Sequence, residues 1–505
     1  MSPIPLKPYW TLIAVCLAAM IMPMSFSAGA IATPAIGRDL GGSPLALSWI
    51  TNAFMLAFGS LLMAAGTLAD AYGRKRVFVI GVALFALASL LLGLAPGMLW
   101  LDMLRALQGM GGAAALAGGS ASLAHAFDGP ARTRAFSALG TSFGVGLSFG
   151  PILAGWLISH HGWRAVFVSS AVIGAGALAL AWRGMQESRD PNAGPLDWAG
   201  TLTFTAALAL LTWGILQAPG SGWSSVTVLG LLAAALVMLV AFVRVQGRAA
   251  RPMLDLSLFR YPRFVGVQVL PIATCYCFAV LLVILPLYFI GVQGRSEVDT
   301  GLAMLALCAP MLVVPGLAAW LSRFASAGVI SGTGLLIAAL GLWLLSGLAA
   351  DASASAWVLP MLVVGVGTGL PWGLMDGLSV SVVPKERAGM ATGIFGTVRV
   401  AGEGIALAMV MALLSGLIAR QLGLADSALG AEAVTLAAQY LAAGDLAHAA
   451  QSAPTHALLE AASQAISELA RVLMVITLLC AGVVFVFLGE RRVQASQGIP
   501  RINDI

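Results

Sequence analysis

Apolar stretches long enough to cross a bilayer recur along almost the whole chain, and that recurrence leaves few folds open. A helix needs about 20 apolar residues to cross the hydrocarbon core. Reading apolar runs between charged or Pro/Gly breaks gives fourteen: 9–35, 46–69, 77–95, 98–124, 133–159, 164–184, 197–217, 223–245, 264–292, 299–322, 327–349, 355–383, 388–420 and 467–489. In lipid each backbone N–H and C=O must be paired inside its own segment, so each run is expected to be helical. Only 9% of the 505 residues are charged, which excludes a water-soluble globule. The expected class is an all-α membrane protein, a bundle of helices solvated by lipid.

Basic residues set the orientation. With the N-terminus inside, 19 of the 26 Lys and Arg fall on its side, so both termini are expected in the cytoplasm. An even number of spans agrees with that. The net charge of +5 comes from short loops between spans and does not point to nucleic acid. Trp10, Trp49, Trp100, Trp163, Trp198, Trp223 and Trp357 lie near span ends, where an interfacial aromatic belt is expected. Gln246 to Arg263 is a basic linker and a natural boundary between halves. Residues 423–467 form a long, alanine-rich external loop, expected to hold short amphipathic helices on the membrane surface as a cap or a tolerated insertion. The five cysteines all sit in apolar segments and read as small packing residues.

The fifth run, from Leu139 to Trp156, carries Gly140, Gly144, Gly146, Gly150 and Gly155 with Pro151 after Gly150. Glycines four apart make a face on which another helix can come close, and Pro151 removes a helical hydrogen bond. An ordinary packed membrane helix and a bend between two moving halves are both compatible with this. The loops before the fifth and thirteenth runs, PARTRAFSALGTSFGVG and PKERAGMATGIFGTVRVAG, both place proline and basic residues before a glycine-rich helix. Such correspondence is expected of a transporter built from repeats, with substrate handled between them.

On these residues the chain resembles the major facilitator superfamily, and within it the fourteen-span drug–proton antiporters of multidrug efflux. Gly66 to Arg76, with Asp70, Gly73 and Arg74, matches the superfamily's loop between spans two and three. Leu101 to Ala114 matches its fourth-span motif around Arg105 and Gln108, and Gly150 to Gly155 ends the fifth-span antiporter motif. The resemblance implies two six-span bundles, 1–190 and 264–505, with two inserted spans and a linker at 191–263, working by alternating access in the inner membrane. It implies Asp70, Gly66, Gly73, Arg74, Gly150 and Pro151 as gating residues, a role for Arg105 in proton coupling, and Gln108 in the cavity.

Arg105 shares a helix face with Asp102, so mutual neutralisation competes with coupling. Relatives generally carry an aspartate where this chain has Ser25, which cannot exchange a proton near neutral pH, so that coupling site is missing. Acids appear instead in the second half. Asp376 lies four residues after Trp372, and Glu403 four after Arg399. Buried acids of this kind can exchange protons with cargo. Trp372 beside Asp376 suits an organic cation. A static Glu403–Arg399 pair and a helix-end Asp376 remain open alternatives. The five histidines lack zinc-ligand spacing and no Walker-type loop is present, so neither an enzyme nor an ATP-driven pump is expected, and no cofactor. The expected function is export of amphipathic, cationic or neutral small molecules in exchange for protons, by a monomer. Proton-independent export is the alternative that Ser25 suggests.

Overall fold

The computed structural model describes residues 6–190, 196–249, 252, 254, 256–348, 352–383, 388–425 and 430–489. Among them there are helices and no strands. The long helices are α1 (Leu6–Leu40), α2 (Pro44–Tyr72), α3 (Arg74–Leu92), α4 (Met98–Ala126), α5 (Gly129–His161), α6 (Arg164–Gly184), α7 (Trp198–Ser221) and α8 (Val226–Arg248). They continue with α9 (Pro262–Val292), α10 (Glu297–Leu321), α11 (Ala327–Ser346), α12 (Val358–Ser381), α13 (Ala388–Ala425) and α14 (Thr455–Leu488). Serine side chains at Ser43, Ser225, Ser296 and Ser326 accept a backbone N–H at the starts of α2, α8, α10 and α11, satisfying donors that a helix leaves free. Two π turns, Cys275–Ala279 and Leu287–Val292, interrupt α9 close to Pro271 and Pro286.

Thirteen of these helices are apolar and long enough to cross a membrane. The exception by composition is α4, which carries Asp102, Arg105, Gln108 and a run of glycines. It tolerates them because it is wedged against α1, α2 and α3. A Cβ on Gly111 would come within 2.6 Å of Phe85 N, and one on Gly118 within 2.7 Å of Phe78 N, so glycine lets α3 pack backbone to backbone on α4.

The same packing scheme occurs twice. In the first half α2 and α3 pack on α4, α1 on α5 and α6, and α3 on α6. In the second, α10 and α11 pack on α12, α9 on α13 and α14, and α11 on α14. The halves meet along two seams, α5 with α10 and α2 with α13. Helix α7 lies along the second seam, touching both α2 and α13, and α8 packs on α7.

Three expectations need correction. Helix α14 begins at Thr455, not at 467, because THALLEAASQAI continues the helical pattern outward and buries Ala457, Leu458, Ala461, Ala465 and Ile466. The external loop does not lie on a membrane surface. Its helix Ala431–Ala442 buries Val434, Ala437, Ala438 and Leu441 against the bundle. Ala443 packs with Ile31, Leu47 and Ile290, so the segment caps the junction of both halves at the end of the molecule away from the Asp70 loop. Of the expected belt, Trp10, Trp100, Trp198 and Trp223 are exposed, whereas Trp163 and Trp357 turn into the protein. The second-half loop Pro384–Arg387 lies outside the described residues.

Candidate functional site: a cavity between the halves

A cavity of about 740 Å³ lies between the halves, walled by α1, α2, α4 and α5 on one side and α9, α12 and α13 on the other. Its wall is mostly apolar: Met22, Phe26, Phe54, Phe58, Phe143, Phe278 and Trp372 are representative. It reaches the loop side of the molecule, where Asp70, Asp190 and Pro252 line it. Toward the other side the halves close on each other. A Cβ on Gly59 would approach Ala401 N to 2.6 Å, and one on Gly301 would approach Pro151 O to 2.6 Å. Gly155 leaves no room for a side chain against the Glu297 carbonyl. Arg38 of the first half donates to Glu297 of the second at 2.7 Å.

Helices α12 and α13 bring three charged side chains to this wall. Arg399 pairs with Asp376 at 3.4 Å and lies over the rings of Trp372 and Phe395, at 5.9 and 6.0 Å. The place expected for an organic cation between Trp372 and Asp376 is therefore taken by the protein's own guanidinium. Asp376 is well exposed, with a side chain 64% accessible. Glu403, near the middle of α13, also lines the cavity. The static Glu403–Arg399 pair does not form: Glu403 has no hydrogen bond or ion pair among the described residues.

The first-half cluster lies behind the wall. Arg105 is fully buried. Its Nε donates to Ile50 O at 2.7 Å, and its Nη1 donates to Gln108 Oε1 at 2.5 Å and to Ser25 Oγ at 3.1 Å. Gln108 in turn donates to Ser89 Oγ at 2.7 Å, and the Phe54 ring lies 4.6 Å from the guanidinium. Asp102 does not pair with Arg105, and its Oδ1 is buried without a partner. Ser25 and Gln108, expected in the cavity, are buried within the first bundle and hold Arg105 instead. Three neutral acceptors and the Phe54 ring hold the guanidinium, its Nη2 has no hydrogen-bond partner among the described residues, and Asp102 acts on it through charge alone, without a salt bridge. Ser89 escapes notice in the sequence because a serine in an apolar run carries no spacing signal.

The residues expected to gate divide. Asp70 accepts from Nε and Nη2 of Arg74 at 2.9 and 2.8 Å, a pair within one half that bridges α2 and α3. Gly73 has φ +118, and a Cβ there would meet the Glu187 carboxylate at 2.6 Å, so both its conformation and its space call for glycine. Glu187 accepts from the backbone N–H of Lys75 and Arg76 at 3.1 and 3.2 Å, capping the N-terminus of α3. Nothing near Glu187 in the sequence points to a contact more than a hundred residues away. Gly66 has nothing within 4 Å of its Cβ position and opens on the cavity. On α5 the glycines sort by face: Gly146 and Gly150 pack on α1, while Gly144, Pro151 and Gly155 meet α10. The helix runs unbroken through Pro151.

Residues 15–407 match the family described as Major Facilitator Superfamily. The chain belongs to the major facilitator superfamily. It is a multi-pass membrane transporter. The tetracenomycin C resistance and export protein of Streptomyces glaucescens is 32% identical over 390 residues, covering 77% of this chain and 72% of that protein. The multidrug resistance protein Stp of Mycobacterium tuberculosis is 32% identical over 409 residues, 80% of this chain and 75% of that one. The cephamycin export protein CmcT of Amycolatopsis lactamdurans is 34% identical over 407 residues, 79% and 84%. Among solved structures, a bacterial homolog to the human lysosomal transporter Spinster superposes with a TM-score of 0.67 at 15% identity, covering 96% of this chain and 97% of that one. At that identity the likeness concerns the fold.

Proposed function

We propose that this transporter exports drug-like, apolar or cationic small molecules across the inner membrane in exchange for protons. Its relatives named above are export and resistance proteins, and the cavity is of a size and apolarity that suits such cargo. The working lobes are residues 1–190 and 264–505, with 191–263 as the inserted pair and linker. Both termini face the cytoplasm, so the cavity opens inward and the Arg38–Glu297 side is external. A monomer contains the whole cavity.

Glu403 is the observation that carries the proton half of this reading. It is an acid on the cavity wall, partly buried, near mid-helix, with no hydrogen bond or salt bridge among the described residues; the charge of Arg399, which pairs with Asp376, reaches it only at longer range. A proton, water or a cationic cargo must satisfy it, and a proton and a cargo cation there exclude each other. Asp376 is second, because Arg399 already neutralises it and it is open to water. Arg105 serves the fold of the first half more than the proton path, since Ser25 replaces the acid that would titrate beside it.

The test uses purified protein in liposomes with an imposed proton gradient and ethidium as cargo. Gradient-driven ethidium movement coupled to proton flux in the opposite direction is expected. Movement indifferent to the gradient would leave the proton-independent exporter that Ser25 suggests. No movement across a panel of cationic and neutral dyes would overturn the drug reading itself.

A further inference from the structure

Among the described residues Arg399 is the one cation on the cavity wall, and most of its hydrogen-bonding capacity is unused. A guanidinium carries five N–H donors in a planar fork. Only Nη1 of Arg399 has an acceptor, Asp376 Oδ1 at 3.4 Å, which is long beside the ~2.7–2.9 Å of a good charge-assisted bond. Its Nε and Nη2 have no acceptor among the described residues. The Trp372 and Phe395 rings cover much of the side chain, leaving it 17% accessible, so the protein withdraws this cation from water without completing its bonds.

Asp376 is an easily displaced partner. Its carboxylate is open to water and loses little when released, whereas an incoming carboxylate that docks on the fork makes two parallel bonds in place of one long one. One turn along α13, about 6 Å in helical rise, stands Glu403 with no hydrogen bond or salt bridge among the described residues. The wall thus holds an unsaturated cation and an unpaired acid at a fixed spacing. A purely cationic ligand satisfies Glu403 and is repelled by Arg399; a purely anionic one meets the reverse. A ligand bearing both charges completes both. The rings of Trp372 and Phe278, 6.2 Å apart, offer flat apolar surface for the part of the ligand between them.

We propose that Arg399 and Glu403 form a dipolar subsite for zwitterionic aromatic cargo, whose carboxylate displaces Asp376 from the Arg399 fork while its cationic end lies against Glu403. The subsite deepens the export reading, on which it rests, and adds a cargo class beyond the apolar and the cationic. Carboxylate and cation act together: either alone must compete with a tethered Asp376 or with the charge of its neighbour.

The test is a matched pair of dyes, the zwitterion rhodamine 110 and its methyl ester, the cation rhodamine 123, bound to purified full-length protein in detergent at neutral pH and followed by fluorescence anisotropy. The zwitterion is expected to bind about ten-fold more tightly than the ester, as one bidentate charged contact allows. Arg399→Gln should abolish that preference by weakening the zwitterion alone. Asp376→Asn, which loosens the competing carboxylate, should tighten the zwitterion several-fold and not the ester, and it carries the test where Arg399→Gln fails to fold. Equal or tighter binding of the ester to the unaltered protein overturns the subsite, as does a preference that survives Arg399→Gln or an Asp376→Asn protein that binds the zwitterion no better. Binding of neither dye overturns it too. Ethidium movement in liposomes, measured separately, reports on the exporter reading whatever the dyes show.

Discussion

The two halves share one packing scheme and treat charge in opposite ways. In the first half, Arg105 is enclosed among Ser25, Gln108, Ile50 O and Phe54, all neutral, and does not reach the cavity. In the second, Asp376, Arg399 and Glu403 stand on the cavity wall, and Glu403 has no hydrogen bond or salt bridge among the described residues. A cation held by neutral groups in a closed pocket has nothing to exchange and serves structure. An unpaired acid beside a cavity has everything to exchange. The comparison teaches that a familiar motif can keep its arginine and glutamine in contact while the residue facing them, here Ser25, is neutral.

The largest effect expected from this contrast is on Glu403. Glu403→Gln keeps shape and removes the ionisable group, so gradient-driven ethidium efflux in liposomes should fall to background while the melting midpoint is unchanged. Asp376→Asn should reduce efflux less. The reverse ranking would return the proton to Asp376 and break the comparison.

Next in size is the outer contact that lets the cavity face one way. Gly301→Val places a side chain into Pro151 O, where even a Cβ comes within 2.6 Å. The outer ends of α5 and α10 should separate, read as a longer distance between spin labels on them, with several-fold lower efflux. An unchanged distance would show that this contact does not hold the outer side shut.

The first-half cluster should respond in stability. Gln108→Leu deprives Arg105 of an acceptor, while Ser89 keeps its bond to Phe85 O, at a cost of about 1.5–3 kcal/mol for a hydrogen bond to a charged group. The melting midpoint in detergent should drop accordingly. Ser25→Asp supplies a carboxylate at hydrogen-bond distance from a cation that is already buried, and should raise the midpoint. A lower midpoint for Ser25→Asp would mean that the neutral shell suits Arg105 better than an acid does. Smallest of all is Arg38→Ala. The pair with Glu297 is solvent-exposed on the arginine side, so its loss should cost no more than about 1 kcal/mol. Efflux should change less than twofold.

Much of the fold is legible from hydropathy because lipid imposes a local rule: every apolar run must close its own backbone hydrogen bonds. Thirteen helices satisfy that rule in composition as well as length. Helix α4 was legible by position and motif, though its glycines and polar residues lower its hydropathy; its protein neighbours make that tolerable. The start of α14 was misplaced because alanine-rich, mildly polar turns read equally as surface loop or as buried helix. Whether they are buried depends on the bundle beneath them.

The candidate site was legible one residue at a time. Trp372, Asp376, Arg399 and Glu403 stand out as polar or aromatic groups in apolar runs, and they do share the cavity. Their pairing was not legible. Helical spacing puts Glu403 and Arg399 one turn apart, yet Arg399 turns to Asp376 on another helix. Spacing reports which residues share a face, while partners across helices depend on how α12 and α13 cross.

Sequence alone determined the membrane class, the number of long helices, the internal duplication and the residues able to carry charge in lipid, because each follows from chemistry local to one segment. Tertiary structure alone decided that Ser25 and Gln108 hold Arg105, and that Arg399 pairs with Asp376 and leaves Glu403 without a salt bridge among the described residues. Those outcomes depend on side chains separated by tens to hundreds of residues meeting across helices, and no local pattern encodes such meetings.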